Sequence, residues 1–294
     1  MQKPKMLGRV LVKAGRAFAR DHVLRFAAAL AFYTLLSFAP LIVLGAWLAG
    51  TLGADPQISF LAQIESLTGP ALREAGDAVL ASAPGFSFGT WAGVFGVSVS
   101  VFGATTVFAQ LQASLNAILG VQAMPSAALW TWLRRRLLSL GVVAAIGFVF
   151  IVSLVISAVL AFALPARGVP WDVVNQLISV VVLGVLFGVL FRSLPDARIP
   201  WKVAFGGGAA TALLFVFGKW AIGAYLAHAS VAGAYGAAGS LAVLLVWVYY
   251  SAAIFLFGAE LIKAYLDVAG IRVEPTAYGR LRRAETEQES MDDT

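Results

Sequence analysis

The chain alternates between long apolar runs and short segments that carry most of its charges. The first run, residues 26–50, contains no charged side chain. A helix of about 20 apolar residues crosses the hydrocarbon core of a bilayer, so this run is long enough to span it. Comparable runs follow at 86–109, 137–164, 173–194, 203–229 and 239–266. The pattern predicts an all-α fold, a polytopic membrane helix bundle with six transmembrane helices and peripheral amphipathic helices.

The basic residues predict the direction in which each span crosses the membrane. Seven Lys and Arg residues precede the first span, and the next base is Arg73. Cytoplasmic segments of membrane proteins are enriched in Lys and Arg. With both termini inside, 18 of the 21 bases lie in cytoplasmic segments, Arg73 and Arg167 lie outside, and Lys219 lies within a span. The sequence therefore predicts a multi-pass protein with both termini in the cytoplasm.

Three regions follow from this pattern: a basic amphipathic segment at 1–25, the membrane domain at 26–266 and a cytoplasmic tail at 267–294. In the first segment Leu7, Leu11, Ala14 and Phe18 fall opposite the bases on a helix. Such a helix either lies on the anionic inner leaflet or packs on the protein, and both alternatives stay open. The tail ends in ETEQESMDDT, which holds five acids and no base, and we expect it to be disordered.

Short amphipathic helices are also predicted between spans. In the outer loop at 51–85, Asp55-Pro56 is typical of a helix start, and Gly69-Pro70 separates this helix from a second one. A further piece follows Pro125 and ends in the bases at 134–136, which would anchor it on the cytoplasmic side.

Glycines predict where the spans approach one another closely. The second span contains Gly89, Gly93, Gly96 and Gly103, and the fourth has Gly184 and Gly188 in GxxxG spacing. Small residues let membrane helices pack closely, although GxxxG alone is a weak signal. The second helix is expected to continue through Gln112 and Asn116, which share one face.

Polar and proline residues in or near the spans are candidates for a substrate pathway. They are Tyr33, Ser37, Pro40, Asn116, Lys219, Tyr225 and Glu260. Each also has a structural interpretation. Glu260 can form an interfacial ion pair with Lys263, Lys219 can reach the outer interface by snorkelling, and Asn116 can hydrogen-bond between helices. A kink at Pro40, near Tyr33 and Ser37, does not by itself indicate transport.

The composition excludes several kinds of chemistry. The chain is 60% hydrophobic and 12% charged, against about 25% charged residues in soluble domains. It has no cysteine, which excludes disulfides, thiolate metal sites and iron–sulfur clusters. No glycine-rich loop ends in Lys-Ser/Thr, so the chain has no ATPase motif. We therefore expect no cofactor and no metal.

Nuclease chemistry is also not expected. It requires clustered metal-binding carboxylates or paired histidines. His22 and His228 are predicted on opposite sides of the membrane, and the acids Asp21, Asp196 and Asp267 stand singly among bases. The sequence thus predicts neither an enzyme nor a nucleic-acid partner.

Four blocks of the sequence resemble one family. They are AALAFYTLLSFAPLIV in the first span, the Gln-Ala-Ser-Leu-Asn turn at 112–116, LFRSLPDARIPWKVAFGGGAATALLF at 190–215 and YGAAGSLAVLLVWVYYSAAIFLFGAEL at 235–261. Together they resemble the YihY/BrkB family of bacterial inner-membrane proteins. The resemblance implies a six-span protein of the cytoplasmic membrane, labelled a virulence or envelope-integrity factor and without a settled activity. Some members were once labelled ribonuclease BN, which is regarded as an error.

Two functional hypotheses remain in different classes. The first is a transporter or flippase-like protein for an amphipathic envelope lipid or a similar apolar substrate. The second is a scaffold or interaction protein that maintains envelope integrity without transport, and a channel for ions or small solutes is a third option. The expected partners are membrane lipids, with a homo-oligomer or other envelope proteins as alternatives.

The topology predicts the result of reporter fusions along the chain. Fusions after Ser126, Ala197 and Ala284 should read as cytoplasmic, and fusions near Gln63 and Gly233 should read as extracytoplasmic, because the bases flank the former positions. Paired phosphatase and fluorescent-protein reporters would measure this. A cytoplasmic signal at Gln63 would contradict the six-span topology.

Overall fold

The computed structural model describes residues 3–50, 73, 76–77, 79–80, 91–123, 171–228, 239–276 and 279–281. Six long helices lie in these ranges: α1 Lys3–Arg20, α2 Val23–Gly50, α3 Trp91–Leu119, α4 Trp171–Ser193, α5 Trp201–His228 and α6 Gly239–Val268. Four short strands accompany them: β1 Val121–Ala123, β2 Ala197–Arg198, β3 Glu274–Pro275 and β4 Gly279–Leu281.

Five of the predicted spans coincide with helices, namely α2 to α6. The third predicted span, 137–164, lies outside the described residues, as does the basic piece at 134–136. Trp201–Ala221 of α5 and Ala242–Val268 of α6 are long and apolar enough to cross a membrane, and shorter apolar stretches occur at Val23–Phe38 and Ser179–Ser193. Six transmembrane helices remain a prediction.

Helix α6 lies at the centre of the described packing. It contacts α1, α2, α3 and α5, while α4 packs on α5 and α2 packs on α3. Its buried face repeats at helical spacing through Leu244, Leu256 and Ala259. The ring of Phe255 on this helix stacks on Phe191 of α4, with ring centroids 4.6 Å apart. The apolar core therefore gathers around one helix.

Glycine contacts bring neighbouring helices together. A Cβ added at Gly208 of α5 would meet the carbonyl oxygen of Gly184 on α4, and one at Gly103 of α3 would meet the side chain of Ser37 on α2. In the same way Gly207 of α5 lies against Ile262 of α6. The predicted close packing at Gly103 and at the GxxxG pair is confirmed.

Helix α1 packs antiparallel to the end of α6. Val10 and Ala14 are buried in one cluster with Leu261 and Ala264, and the ring of Phe18 meets that of Phe257 edge-on at 5.6 Å. Of the two alternatives for this segment, packing on the protein is confirmed for this face. In the loop at 51–85 the described positions Arg73, Gly76, Asp77, Val79 and Leu80 are helical, as predicted for its second helix.

The segment after α6 forms short strands that the sequence did not predict. Strand β4 pairs with β1, and β3 pairs with β2, both antiparallel. The described fold is therefore mostly helical with two small two-stranded sheets, and residues 274–275 and 279–281, which lie in the region predicted as the tail, form strands. Gly120 and Gly270, which follow α3 and α6, have φ of 72° and 70°, the left-handed conformation that ends helices and that glycine adopts without strain. Residues 282–294 lie outside the described part.

A group of side-chain and backbone contacts around the buried Asp196, which we call the Asp196 clasp (Gln112, Asn116, Asp196, Thr276 and Gly279), holds these strands. Asn116 donates to a carboxylate oxygen of Asp196 at 2.9 Å and accepts from its backbone N–H at 2.8 Å. Gln112 donates to the same oxygen at 3.3 Å. The Asp196 carbonyl accepts from the N–H of Thr276 at 2.9 Å, and the backbone of Gly279 packs against it. The clasp thus ties α3 to the α4–α5 turn and the C-terminal strands.

Replacement of Gly208 tests the α4–α5 contact. Gly208→Ala should destabilise the folded protein by about 1–3 kcal/mol, because its Cβ has no room against the backbone of Gly184. The matched control is Gly206→Ala, since a Cβ there meets nothing within 4 Å. This control should be neutral or gain up to about 1 kcal/mol from helix propensity. Thermal unfolding in detergent, followed by fluorescence-detected size exclusion, would measure both, and equal melting temperatures would contradict the contact.

Replacement of Asn116 tests the clasp. Asn116→Ala should cost about 3 kcal/mol, because it leaves a buried N–H and a buried carboxylate oxygen of Asp196 without their closest partner. Gln112→Ala, which removes only the longer hydrogen bond, should cost about 1 kcal/mol. Limited proteolysis of the C-terminal strands and thermal unfolding would report the two effects. The assignment fails if both variants keep wild-type resistance to proteolysis.

Candidate functional site

Helices α1 and α2 are separated by a two-residue break at Asp21 and His22. The N–H of Asp21 donates to the carbonyl of Ala17 at 2.8 Å and closes α1, and the N–H of Arg25 donates to that of His22 at 2.8 Å and opens α2. His22 has φ of 51°, a left-handed conformation that costs a non-glycine residue about 1–2 kcal/mol. Packing around the break must therefore maintain it.

Glu260 of α6 is a fully buried carboxyl group beside this break. Its exposed fraction is 0%, and neither carboxyl oxygen accepts a hydrogen bond in the part of the chain that the structure describes. Its charged neighbours are Asp21 and Arg20, at the end of α1, and Lys263, one turn further along α6. A buried carboxylate without a hydrogen-bond partner costs several kcal/mol, so Glu260 requires a proton or compensation by a cation.

Lys263 uses its ammonium group elsewhere. Its Nζ donates to the backbone carbonyl of Leu119 at 3.2 Å, at the C-terminal end of α3. A cation is favourable there because the last carbonyls of a helix carry partial negative charge. The alternative that Glu260 and Lys263 form an exposed interfacial pair does not fit, because Glu260 is buried.

A cavity of about 430 Å³ opens at the break. The α1–α2 break (Arg20, Asp21 and His22), the end of α3 and Lys263 line it. Arg20 bridges to Asp21 with an Nε–Oδ1 distance of 2.8 Å. The hydrogen bond and the charge of Asp21 raise the pKa of Arg20 above its usual value, so the guanidinium stays charged. We call Arg20, Asp21, His22, Glu260 and Lys263 the helix-break site.

The structure separates several of the predicted pathway residues. Ser37 of α2 is buried, donates to the carbonyl of Thr34 at 3.1 Å and lies against α3 at Gly103. Tyr33, also on α2, is half-buried beside the ring of Phe32, with centroids 5.7 Å apart. These two residues are not part of the helix-break site.

The remaining predicted residues lie on other helices or outside the description. Lys219 is half-buried on α5, which packs on α4 and α6. Pro40 and Tyr225 lie within α2 and α5, and their side chains are outside the described part. Asn116 belongs to the Asp196 clasp, and Glu260 belongs to the helix-break site.

Sequence reasoning missed the partners of three acids that it treated as isolated. Asp21 pairs with Arg20, Asp196 is held by two amides, and Asp267 pairs with Lys13 at 2.9 Å. For Asp21 the sequence did indicate a partner, because Arg20 and Asp21 are adjacent between two segments of helical periodicity. For Asp196 no local pattern points to residues 80 and 84 positions away.

The comparisons with known proteins agree on one family. The chain matches the family model described as virulence factor BrkB over residues 14–277. A protein of Alkalilimnicola ehrlichii named UPF0761 membrane protein is 30% identical over 272 residues, which are 90% of this chain and 59% of that protein. A protein of the same name from Stenotrophomonas maltophilia is 31% identical over 129 residues, 42% of this chain and 30% of that protein.

A shorter match has higher identity. The UPF0761 membrane protein of Pseudomonas aeruginosa is 38% identical over 77 residues, 26% of this chain and 19% of that protein. The chain therefore spans less than two thirds of the length of these curated relatives. No solved structure matches the chain. The match over most of its length shows that the chain belongs to the BrkB virulence factor family of membrane proteins.

Proposed function

We propose that this chain is a multi-pass protein of the bacterial inner membrane, with both termini in the cytoplasm, that acts as a transporter and not as an enzyme. Its cargo is an amphipathic envelope lipid or a similar apolar molecule. The observation that carries the proposal is Glu260, a fully buried carboxyl group without a hydrogen-bond partner among the described residues, in an apolar helix long enough to span a membrane.

Ionisable groups inside membrane helices are costly, and they mark ion and substrate pathways in membrane proteins. Broken helices often form such sites in membrane proteins. Here a cavity lies at the Asp21–His22 break, and Glu260 has Asp21 and Arg20 of this break as charged neighbours. A proton or cation bound at Glu260 would couple movement of the cargo to an ion gradient, which agrees with the lack of an ATPase motif in the sequence.

The outer surface of the helices supports an apolar cargo. Large apolar side chains are exposed on α2 at Phe32 and Leu36, and on α5 at Leu213, Phe217 and Trp220. Such surfaces suit contact with acyl chains rather than with water. Apart from Lys219, the described part of α5 within the apolar stretch 203–228 carries no charge, which favours a lipid-like cargo over a hydrophilic solute.

A scaffold without transport is the second candidate, and the packing of α4 on α5 favours it. Gly184 and Gly208 bring the two backbones into contact, which leaves no crevice between these helices at that level. The small residues that could have formed an opening serve close packing instead. A scaffold would use this packing and would not need Glu260 to exchange a proton.

Transbilayer exchange in liposomes separates the two candidates. The purified protein should speed exchange of a labelled anionic phospholipid without ATP, and a pH gradient should change the rate. Glu260→Gln, which keeps the size and removes the exchangeable acid, should lower the rate at least about tenfold if proton transfer at this group is required. The matched control is Glu274→Gln, since Glu274 is exposed on β3.

Folding is checked by monodispersity and melting temperature of both variants. Exchange at the rate of empty liposomes for several lipid classes would favour the scaffold. Wild-type exchange by the Glu260→Gln protein would remove Glu260 from the mechanism.

A further inference from the structure

Three sides of α1 differ in what they contact. The side formed by Val10, Ala14 and Phe18 packs on α6. On one flank the bases Arg9, Lys13, Arg16 and Arg20 recur at intervals of three or four residues. On the other flank Leu7 and Leu11 are exposed, by 63% and 48%. Only the first side is covered by described parts of the protein.

The basic flank borders a groove of about 600 Å³ between α1 and the end of α6. Five bases line the groove: Arg9, Lys13, Arg16, Arg20 and Lys263. Asp267 is the one carboxylate among the lining residues, and Lys13 neutralises it at 2.9 Å. The remaining lining is small or apolar and includes Val12, Ala17 and Ala264.

Two of these bases have no ion-pair partner among the described residues. Among the described residues, Arg9 and Arg16 form no ion pair, whereas Arg20 bridges to Asp21 and Lys263 donates to Leu119. Arg9 and Arg16 lie seven positions apart, which places them two turns apart on the same flank of the helix. The groove therefore presents two guanidinium groups next to small and apolar lining residues.

The exposed leucines identify the kind of anion that fits. An amphipathic helix with bases on one side and apolar residues on another lies in the interface of an anionic leaflet. Nucleic acid would use the bases, but it would leave Leu7 and Leu11 in water. The predicted cytoplasmic position of α1 places this surface at the inner leaflet, where anionic lipids attract basic segments.

We propose that the groove between α1 and α6 binds the phosphate headgroup of an anionic phospholipid of the inner leaflet. Arg9 and Arg16 contact the phosphate, since planar guanidinium groups donate two parallel hydrogen bonds to it. Val12, which lines the groove, lies beside the acyl chains, and Leu7 and Leu11 on the other flank hold α1 in the leaflet. The site does not require transport, because a scaffold would use the same lipid contact to hold α1 at the membrane.

Calorimetric titration of the full-length chain in a neutral detergent tests the proposal. The probes are short-chain phosphatidylglycerol, short-chain phosphatidylcholine and glycerol 3-phosphate. Phosphatidylglycerol should bind at least about tenfold more tightly than phosphatidylcholine, and raised salt should weaken it. Glycerol 3-phosphate should bind more weakly than phosphatidylglycerol, because it lacks the acyl chains.

Variants identify the residues. The double variant Arg9→Gln with Arg16→Gln should weaken phosphatidylglycerol binding about tenfold or more. The matched control is Lys202→Gln, which removes an exposed base at the start of α5, away from the groove. Val12→Ser should weaken phosphatidylglycerol binding and leave glycerol 3-phosphate binding unchanged, because Val12 is the large apolar residue of α1 that lines the groove. Because these four side chains are exposed, all variants should keep the wild-type melting temperature.

Three outcomes would overturn the proposal. Equal affinity for phosphatidylglycerol and phosphatidylcholine would exclude recognition of the anionic headgroup. Unchanged binding in the double arginine variant would exclude this groove. Glycerol 3-phosphate that binds as tightly as phosphatidylglycerol would assign the groove to a free phosphate ester and not to a lipid. None of these results depends on whether the protein exchanges lipid.

Discussion

The packing of α6 against four other helices is the constraint on which the rest of the described structure depends. In a bilayer the hydrophobic effect does not drive helices together, so association requires close contact and internal satisfaction of polar groups. Helices α5 and α6 each contribute a glycine to their contact. Gly207 of α5 packs against Ile262 of α6, and Gly258 of α6 packs against Thr211 of α5. The same helix carries Glu260 into the core. A group that is costly to bury therefore lies in the helix that contacts the most other helices of the described structure, and its charged neighbours are Asp21, Arg20 and Lys263.

The C-terminal end of α3 connects the two polar clusters. Leu119 offers its carbonyl to Lys263 of the helix-break site, while Gln112 and Asn116, in the two preceding turns, hold Asp196. The clasp fixes the turn before α5 and, through β3 and β4, the chain that follows α6. Helices α5 and α6, which meet at the glycine contacts, are thus each held at one end by α3. This arrangement makes the clasp a support for the helix-break site, which explains why Asn116 has a structural role although it looked like a pathway residue.

Hydropathy and charge predicted the helices, because each helix depends on the composition of one continuous segment. Helices α2 to α6 follow from apolar runs, and the GxxxG pair at Gly184 and Gly188 predicted a contact that the structure contains. The strands were not predictable, because two- or three-residue strands carry no periodicity, and β1 pairs with residues about 160 positions later. The burial of Glu260 was not predictable either. The rise per residue gives the position of Glu260 along its helix. Only the tertiary structure shows that the α1–α2 break lies beside this residue.

The helix-break site and the groove share Arg20 and Lys263, which line both cavities. A headgroup phosphate that Arg9 and Arg16 hold in the groove and a charged carboxylate at Glu260 would therefore both be attracted by the charges of these two cations. Asp21 and His22 line only the smaller cavity and not the groove. When two ligands compete for shared charges, each weakens the other by the same free energy. On the proposed assignments, a lipid headgroup would bind more tightly when Glu260 is protonated, and a proton would bind more tightly when the groove is occupied. This reciprocity follows from shared residues alone and requires no large movement of helices.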